Sequence, residues 1–426
     1  MRSLFIVLLL SITVSAQAAP ASDDVAALTA KASAGDPAAM TQLGSMYYEG
    51  KGTPRDYQQA RRWFEAAAEK NYAPALNDLA VMYLDGAGVD RDPAIAAQLY
   101  TRGAEQDDPV SQFNLAGLYA RGAGVPRDQV AAYKWLLLAN LNGHPNANTT
   151  LQKYAPGMSP VQIAEAQRQA AQVGFPHLLR KAQAGDVKAQ AKVGVAYATG
   201  QWTAQNDGEA LKWFTKAAAQ GDTDAQYALG DIYSNGRGVP TDYPQAVKWM
   251  RLAADKGDPR AQAGLASLYD IGTGVPRSDA EAFKWNSKAA QQGFAEGQYN
   301  VAFAYANGKG VAKDEHKALE WYEKAIAQGY FNAANNAARL LATSKDPGVR
   351  NPVRALKFAQ QAIEMTGGRY PVYFDTLARC YFENGQIADA IAAERQAQEL
   401  APGRDEFRVT LDRYVAIQAL QARSSR

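Results

Sequence analysis

Six of the seven tryptophans occupy one slot of a repeating unit: Trp63, Trp135, Trp213, Trp249, Trp285 and Trp321. The last four follow one another every 36 residues, Leu99 fills the slot that the first gap of 72 skips, and a gap of 78 between Trp135 and Trp213 marks one interruption. A fixed period of roughly 20–50 residues is the signature of a stacked repeat architecture. Such chains build surfaces rather than reaction centres, so the tryptophans read first as packing residues.

The stretch Ala225–Gly257 shows the grammar of one unit. Ala225 to Tyr233 carries apolar or small residues at helical spacing, which predicts a first helix. Gly236 and Gly238 then allow positive φ, ending that helix and turning the chain tightly. Asp242 is placed to cap the second helix, which carries Ala246, Trp249 and Ala253 as a stripe of 3–4 spacing. Gly257 stops it, and Asp258-Pro259 restarts the next one with an N-cap and a proline at the first helical position. Glycine pairs recur at Gly50/Gly52, Gly86/Gly88, Gly122/Gly124, Gly272/Gly274 and Gly308/Gly310. A unit of this kind cannot bury its own apolar face and must stack on neighbours.

These residues resemble the Sel-one-like repeat family, a relative of the tetratricopeptide repeat, whose pattern runs Ala-x3-Leu-Gly-x2-Tyr-x2-Gly-x-Gly-Val, an Asp, then Lys-Ala-x2-Trp-x3-Ala-Ala-x2-Gly. Ala225–Gly257 matches it nearly letter for letter, with Lys248 displaced beyond the alanine, and the resemblance covers about Ala39–Gly143 and Ala189–Gly329. It implies an all-α fold, a right-handed α-α superhelix (solenoid) of stacked helix-turn-helix repeats that binds other proteins or peptides. Bacterial members of the family are often exported.

The pattern breaks in three places. Between the arrays, Ser159-Pro160 with Gln162 reads as a capping box opening a helix through Ala171 that closes the first array, and a lead-in helix opens the second at about Phe175. The repeat that follows has Gly200-Gln201-Trp202-Thr203 in place of its glycine pair, which puts Trp202 on an exposed turn, either as an aromatic anchor for a partner or folded back on a neighbouring hairpin. After Gly329 the pair disappears, and Tyr373 to Pro402 resembles an ordinary tetratricopeptide repeat, followed by a final helix from Glu406 to Ala422 whose polar outer face would cap the stack. The expected organisation is therefore a signal peptide over 1–18, a first array over 19–174, a second over 175–330, and degenerate repeats with a capping helix over 331–426.

The signal peptide rests on Arg2, the apolar run Leu4–Val14 and the small-x-small site Ala16-Gln17-Ala18. It predicts export to the periplasm, or secretion, in a bacterium, with no transmembrane segment in the mature chain. Lys and Arg number 45 against 43 Asp and Glu, so nothing in the charge points to nucleic acid. The single cysteine, Cys380, reads as a small buried apolar residue and can form no internal disulfide.

Catalytic constellations are missing from the sequence. The three histidines, His144, His177 and His316, lie far apart, no zinc-ligand spacing occurs, and the glycine pairs follow helices and lack the Lys-Ser/Thr of a phosphate loop. The expectation is a non-enzyme without cofactor or metal, a monomeric scaffold or regulator of an envelope process with a protein or peptide partner. By the resemblance, first helices line the concave surface, which places Tyr227, Asp231 and Asn235, then Tyr299, Phe303 and Asn307, then Asn335 and Arg339 on it, with Trp202 as a separate candidate. The alternatives are β-lactam binding or hydrolysis, to which cysteine-rich family members are linked, and recognition of peptidoglycan.

Overall fold

The computed structural model describes residues 22–424, so the signal peptide over 1–18 lies outside the described residues. The described residues form 22 α-helices, one short 3-10 turn and no strand. They divide into two compact units: the first ends at Ala184 and takes in Thr199–Gln205, and the second holds Gly185–Ala198 and everything from Asn206 onward.

In unit one, α1 (Ser22–Ser33) leads into three hairpins: α2 (Pro37–Glu49) with α3 (Tyr57–Glu69), α4 (Ala73–Asp85) with α5 (Pro93–Ala104), and α6 (Pro109–Arg121) with α7 (Gln129–Leu141). A short α8 (Ala147–Tyr154) and a long α9 (Pro160–Gln183) close it. Unit two pairs α10 (Val187–Thr199) with α11 (Asp207–Ala219), α12 (Thr223–Asn235) with α13 (Tyr243–Asp255), and α14 (Pro259–Ile271) with α15 (Asp279–Gln291). It continues through α16 (Ala295–Asn307) and α17 (Glu315–Ile326), α18 (Phe331–Thr343) and α19 (Pro352–Thr366), α20 (Pro371–Glu383) and α21 (Ile387–Leu400), and ends in α22 (Asp405–Ser424).

The expected caps are present. Asp242 accepts a hydrogen bond from the Gln245 N–H at 3.0 Å, and Asp258 accepts from Arg260 and Ala261 with Pro259 at the first helical position. Ser159 and Gln162 form the reciprocal capping box. Gly236 ends α12 with φ 67°, while the second glycine of the pair, Gly238, serves a close approach: a Cβ there would lie 2.5 Å from the Asp207 Cβ of the preceding hairpin.

A second packing position is the residue after the tryptophan slot. Phe64, Tyr100, Leu136, Phe214, Met250 and Tyr322 fill it and are buried, each in a core of alanines and leucines. The tryptophans themselves differ: Trp135, Trp213 and Trp285 are buried, but Trp63, Trp249 and Trp321 are only half-buried. Lysines cover several of these rings, with Nζ 4.3 Å from the Trp135 centroid, 4.9 Å from Trp249 and 3.9 Å from Trp321.

A second device repeats without having been visible as a motif. A glutamine in the first turn of the first helix is buried and donates to the carbonyl near the end of the preceding second helix: Gln112 to Ala104, Gln226 to Ala218 and Gln262 to Ala254, each at 3.1 Å. In Gln112, Gln262 and Gln298 the side-chain oxygen accepts from the amide of a residue just past the end of the second helix of the same hairpin, as in Gln292 to Gln262 at 2.9 Å and Gln328 to Gln298 at 2.7 Å; Gln226 meets Lys256 at that point and its oxygen is left without a partner. The clamp adds a side-chain donor to helix-end carbonyls that already accept from the turn, as the Gly257 N–H donates to Ala254.

The helix expected to close the first array and the lead-in helix expected after it are one helix, α9, which carries Pro176 in its interior. The expected 174/175 boundary therefore falls inside a helix. Trp202 is not on an exposed turn: it is half-buried against the core of unit one, where Gly174 of α9 leaves room, since a Cβ at that glycine would lie 3.3 Å from the ring. The final helix carries Arg408, Asp412 and Arg413 on its exposed side, and also the aliphatics Val409, Val415 and Leu420.

Candidate functional site

Consecutive first helices approach one another within each unit: α2, α4 and α6 in unit one, and α12, α14, α16, α18 and α20 in unit two. Second helices meet chiefly the first helices beside them. The first-helix side is thus the tighter, inner side of each stack.

On α12, the three expected residues satisfy one another or are covered. Arg260 lies over the Tyr227 ring at 4.6 Å and is itself tied to Asp258 and Asp224. Asp231 pairs with Arg237 and accepts from the Asn235 amide at 2.7 Å. This patch is closed by its own neighbours.

On α16 and α18 the expected residues come together. Tyr299 lies 6.4 Å from Phe303, 6.0 Å from Tyr322 and 5.0 Å from Tyr330, and the Asn336 amide donates to its hydroxyl at 3.1 Å. The ring series continues through Phe331 to Tyr370 and Tyr373. Burial raises the Tyr299 hydroxyl, opposed by the Asn336 hydrogen bond and, less, by the charge of Arg339. Asn307 instead folds back to donate to the Phe303 carbonyl at 2.8 Å, and Asn335 turns its side-chain oxygen into the interior without a hydrogen-bond partner.

Two arginines here are exposed and form no ion pair among the described residues: Arg339 on α18 and Arg379 on α20. Both act electrostatically on the half-buried Asp375, whose carboxyl is pushed up by desolvation. Behind it, Glu394 of α21 is fully buried with neither oxygen hydrogen-bonded, and burial followed by the Asp375 charge pushes its carboxyl up to about 8. Arg379, Asp375, Glu394 and Tyr414 escaped notice in the sequence. Carrying the 36-residue register on from Arg339 lands on Asp375; Arg379 lies 40 residues on, because α20 begins 40 residues after α18.

Unit one has an inner face that sequence reasoning passed over. Asp78 of α4 receives a long hydrogen bond of 3.4 Å from Ser45 of α2, and Tyr48 donates to Asp85 at 3.3 Å. Burial pushes the Asp78 carboxyl up to about 7 and, with the Asp85 charge, the Tyr48 hydroxyl up to about 12. Trp202 lies elsewhere in this unit, in the core. Cys380 is fully buried, which pushes its thiol up to about 12. His316 is exposed and meets Asp346 at 3.1 Å. Among the described residues no cluster of three or more His, Cys, Asp or Glu could hold a metal ion, and no helix is long and apolar enough to cross a membrane.

Stacked two-helix units with an inner face of first helices define a helical-repeat solenoid, a class whose members generally mediate protein–protein interaction and serve as non-catalytic scaffolds. The chain belongs to the Sel1 repeat family: its model matches residues 37–72, 73–108, 109–144, 187–222, 223–258, 259–294, 295–330 and 332–366. The last of these is the hairpin whose glycine pair is replaced by Asp346-Pro347-Gly348. Among solved structures, a protective antigen of uropathogenic Escherichia coli displaying an SLR fold is 29% identical, with 91% of this chain and 81% of that chain covered and a TM-score of 0.52. A Sel1 repeat protein from Oxalobacter formigenes is 30% identical over 74% of this chain and 89% of that one, at a TM-score of 0.46. No curated protein matches the sequence.

Proposed function

We propose that this protein is an exported, non-catalytic scaffold or regulator of a bacterial envelope process that holds a protein partner against the first helices α16, α18 and α20. One observation carries the choice of surface. Arg339 and Arg379 are exposed and without ion-pair partners among the described residues, on the same two helices that carry Phe331 and Tyr373 of a continuous series of aromatic rings from Phe303 to Tyr373. Arginine with aromatic rings is the composition that dominates binding energy at protein interfaces. The α12 patch, by contrast, has its charges and rings already engaged within the molecule. Export rests on the amino-terminal sequence.

Affinity capture from an envelope extract, with the full mature chain as bait, tests the assignment. Arg339→Ala with Arg379→Ala is expected to reduce recovery of the partner about tenfold or more, as for interface residues worth over ~1.4 kcal/mol. Arg260→Ala, which uncovers Tyr227, is expected to leave it unchanged. Undiminished capture by the double variant would remove this surface from consideration.

A further inference from the structure

One position of the inner face changes character along unit two. The ninth residue of successive first helices is Asp231 on α12, Ser267 on α14, Phe303 on α16, Arg339 on α18 and Arg379 on α20, and Arg413 holds the same place on α22. The three arginines are exposed, and none forms an ion pair among the described residues. At the other end of the row, Asp231 is already paired with Arg237.

The arginines stand on neighbouring helices. α18 packs on α20, and Arg339 and Arg379 both act on the half-buried Asp375. Arg379 and Arg413 both act on Tyr414. Arg413 also lies over the Phe382 ring at 5.8 Å, and Tyr414 stacks on that same ring with centroids 4.8 Å apart, which holds α22 against α20.

The acids of this end do not discharge the row. Glu383 is engaged by Arg350 at 2.7 Å and Glu406 by Arg404 at 2.6 Å. Glu394 is fully buried, and Asp375 makes no ion pair with either arginine beside it. Like charges on adjacent helices repel, so an anionic occupant is favoured here and a cationic one is rejected.

We infer that the partner lays an extended acidic segment across α18, α20 and α22, with a carboxylate at every third residue, one for each of Arg339, Arg379 and Arg413. This deepens the reading of the first-helix side as the docking surface and rests on it. The spacing follows from helix geometry, since packed helices lie about 8–10 Å apart. A polyproline-II strand has three residues per turn and a rise of about 3.1 Å, so every third side chain points the same way at intervals of about 9 Å. Each guanidinium is a planar fork that takes a carboxylate through two hydrogen bonds.

The probes are rhodamine-labelled nonapeptides, bound to the full mature chain at low ionic strength and read by fluorescence anisotropy. One is Pro-Pro-Glu repeated three times, two others carry glutamine or lysine in place of glutamate, and a fourth has the three glutamates together followed by six prolines. The spaced glutamate peptide is expected to bind about tenfold tighter than each of the others, with the preference shrinking as salt is added. Arg379→Gln, which removes the middle charge, is expected to weaken the spaced glutamate peptide about fivefold or more and to leave the glutamine peptide unchanged. The inference is overturned if glutamine binds as well as glutamate, if lysine is preferred, or if the clustered isomer binds as tightly as the spaced one. It is overturned equally if Arg379→Gln keeps the preference while circular dichroism reports an unchanged helix content. Loss of capture from the envelope extract by Arg339→Ala with Arg379→Ala, together with indifference to glutamate, would keep the surface and remove its acidic occupant.

Discussion

The position after the tryptophan slot is filled by Phe64, Tyr100, Leu136, Phe214, Met250, Asn286 and Tyr322, and in the last two hairpins, aligned on their buried alanines, by Ala359 and Glu394. Glu394 thus puts a carboxyl where the other repeats place a neutral side chain. It is packed against α20, which brings Asp375 and Arg379, and α22, which brings Tyr414 and Arg413. Its folded-state carboxyl titrates near 8, above the usual 4.5, so the folded chain binds the proton more tightly than the unfolded one. The associated stability is complete below pH 4.5 and is lost as the pH rises through 8. Urea denaturation of the C-terminal repeats between pH 6 and pH 9 is expected to show wild type weakening by roughly 2–4 kcal/mol relative to Glu394→Gln, whose stability does not depend on this proton. Parallel pH profiles for the two proteins would contradict this. The tryptophans were conspicuous in the sequence because they share a letter. The slot after them was not, because Phe, Tyr, Leu and Met can all fill it, and a packing requirement met by several shapes leaves no repeating letter.

At the scale of helices and turns, the hairpins were legible because glycine pairs, aspartate caps and proline starts are demands of the backbone, which few residue types meet. Helix α9 was not. Gly174 and Pro176 are both helix-breaking signals, yet the chain continues through them as one helix of 24 residues. Leu138 and Trp202 pack close to Gly174, so a short side chain is required there by its surroundings rather than by a turn. The glutamine clamps were missed for another reason: they join residues 30 positions apart, and a glutamine in a first turn carries no local signal. Their contribution is measurable. Gln262→Leu removes a donor from the Ala254 carbonyl and an acceptor from the Gln292 amide. A loss of about 1–3 kcal/mol is expected in chemical denaturation, with faster hydrogen exchange at the carboxyl end of α13. Unchanged exchange there would mean that water replaces the clamp at no cost.

For the molecule as a whole, stability within unit two follows the distribution of these clamps. They run through the repeats that begin with Gln226, Gln262 and Gln298 and stop there, since Ala334 stands at the next equivalent position. The segment beyond also holds the uncompensated Glu394 and exposes Val409 and Leu420 on its last helix. In a repeat stack, where each unit is held by its neighbours, opening begins where those ties are fewest. Hydrogen exchange followed by mass spectrometry is expected to give markedly lower protection across Ile387–Leu400 than across Asp279–Gln291. Equal protection would show that the clamps do not set the order of opening. The candidate surface was partly legible at this scale. The register of the first helices located Tyr299, Phe303 and Arg339, but which side chains already have partners inside the protein depends on residues 30 or more positions away, such as Arg260 over Tyr227.

The clamp also bears on how such a chain can grow. Because each amide pair lies within one hairpin and each glutamine reaches back eight residues to the preceding helix, duplicating the 36-residue block 262–297 would regenerate both links at the new junction. Gene-level slippage in that stretch changes the length of the array without demanding any compensating substitution, so the number of hairpins is free to drift while the seam between them stays the same.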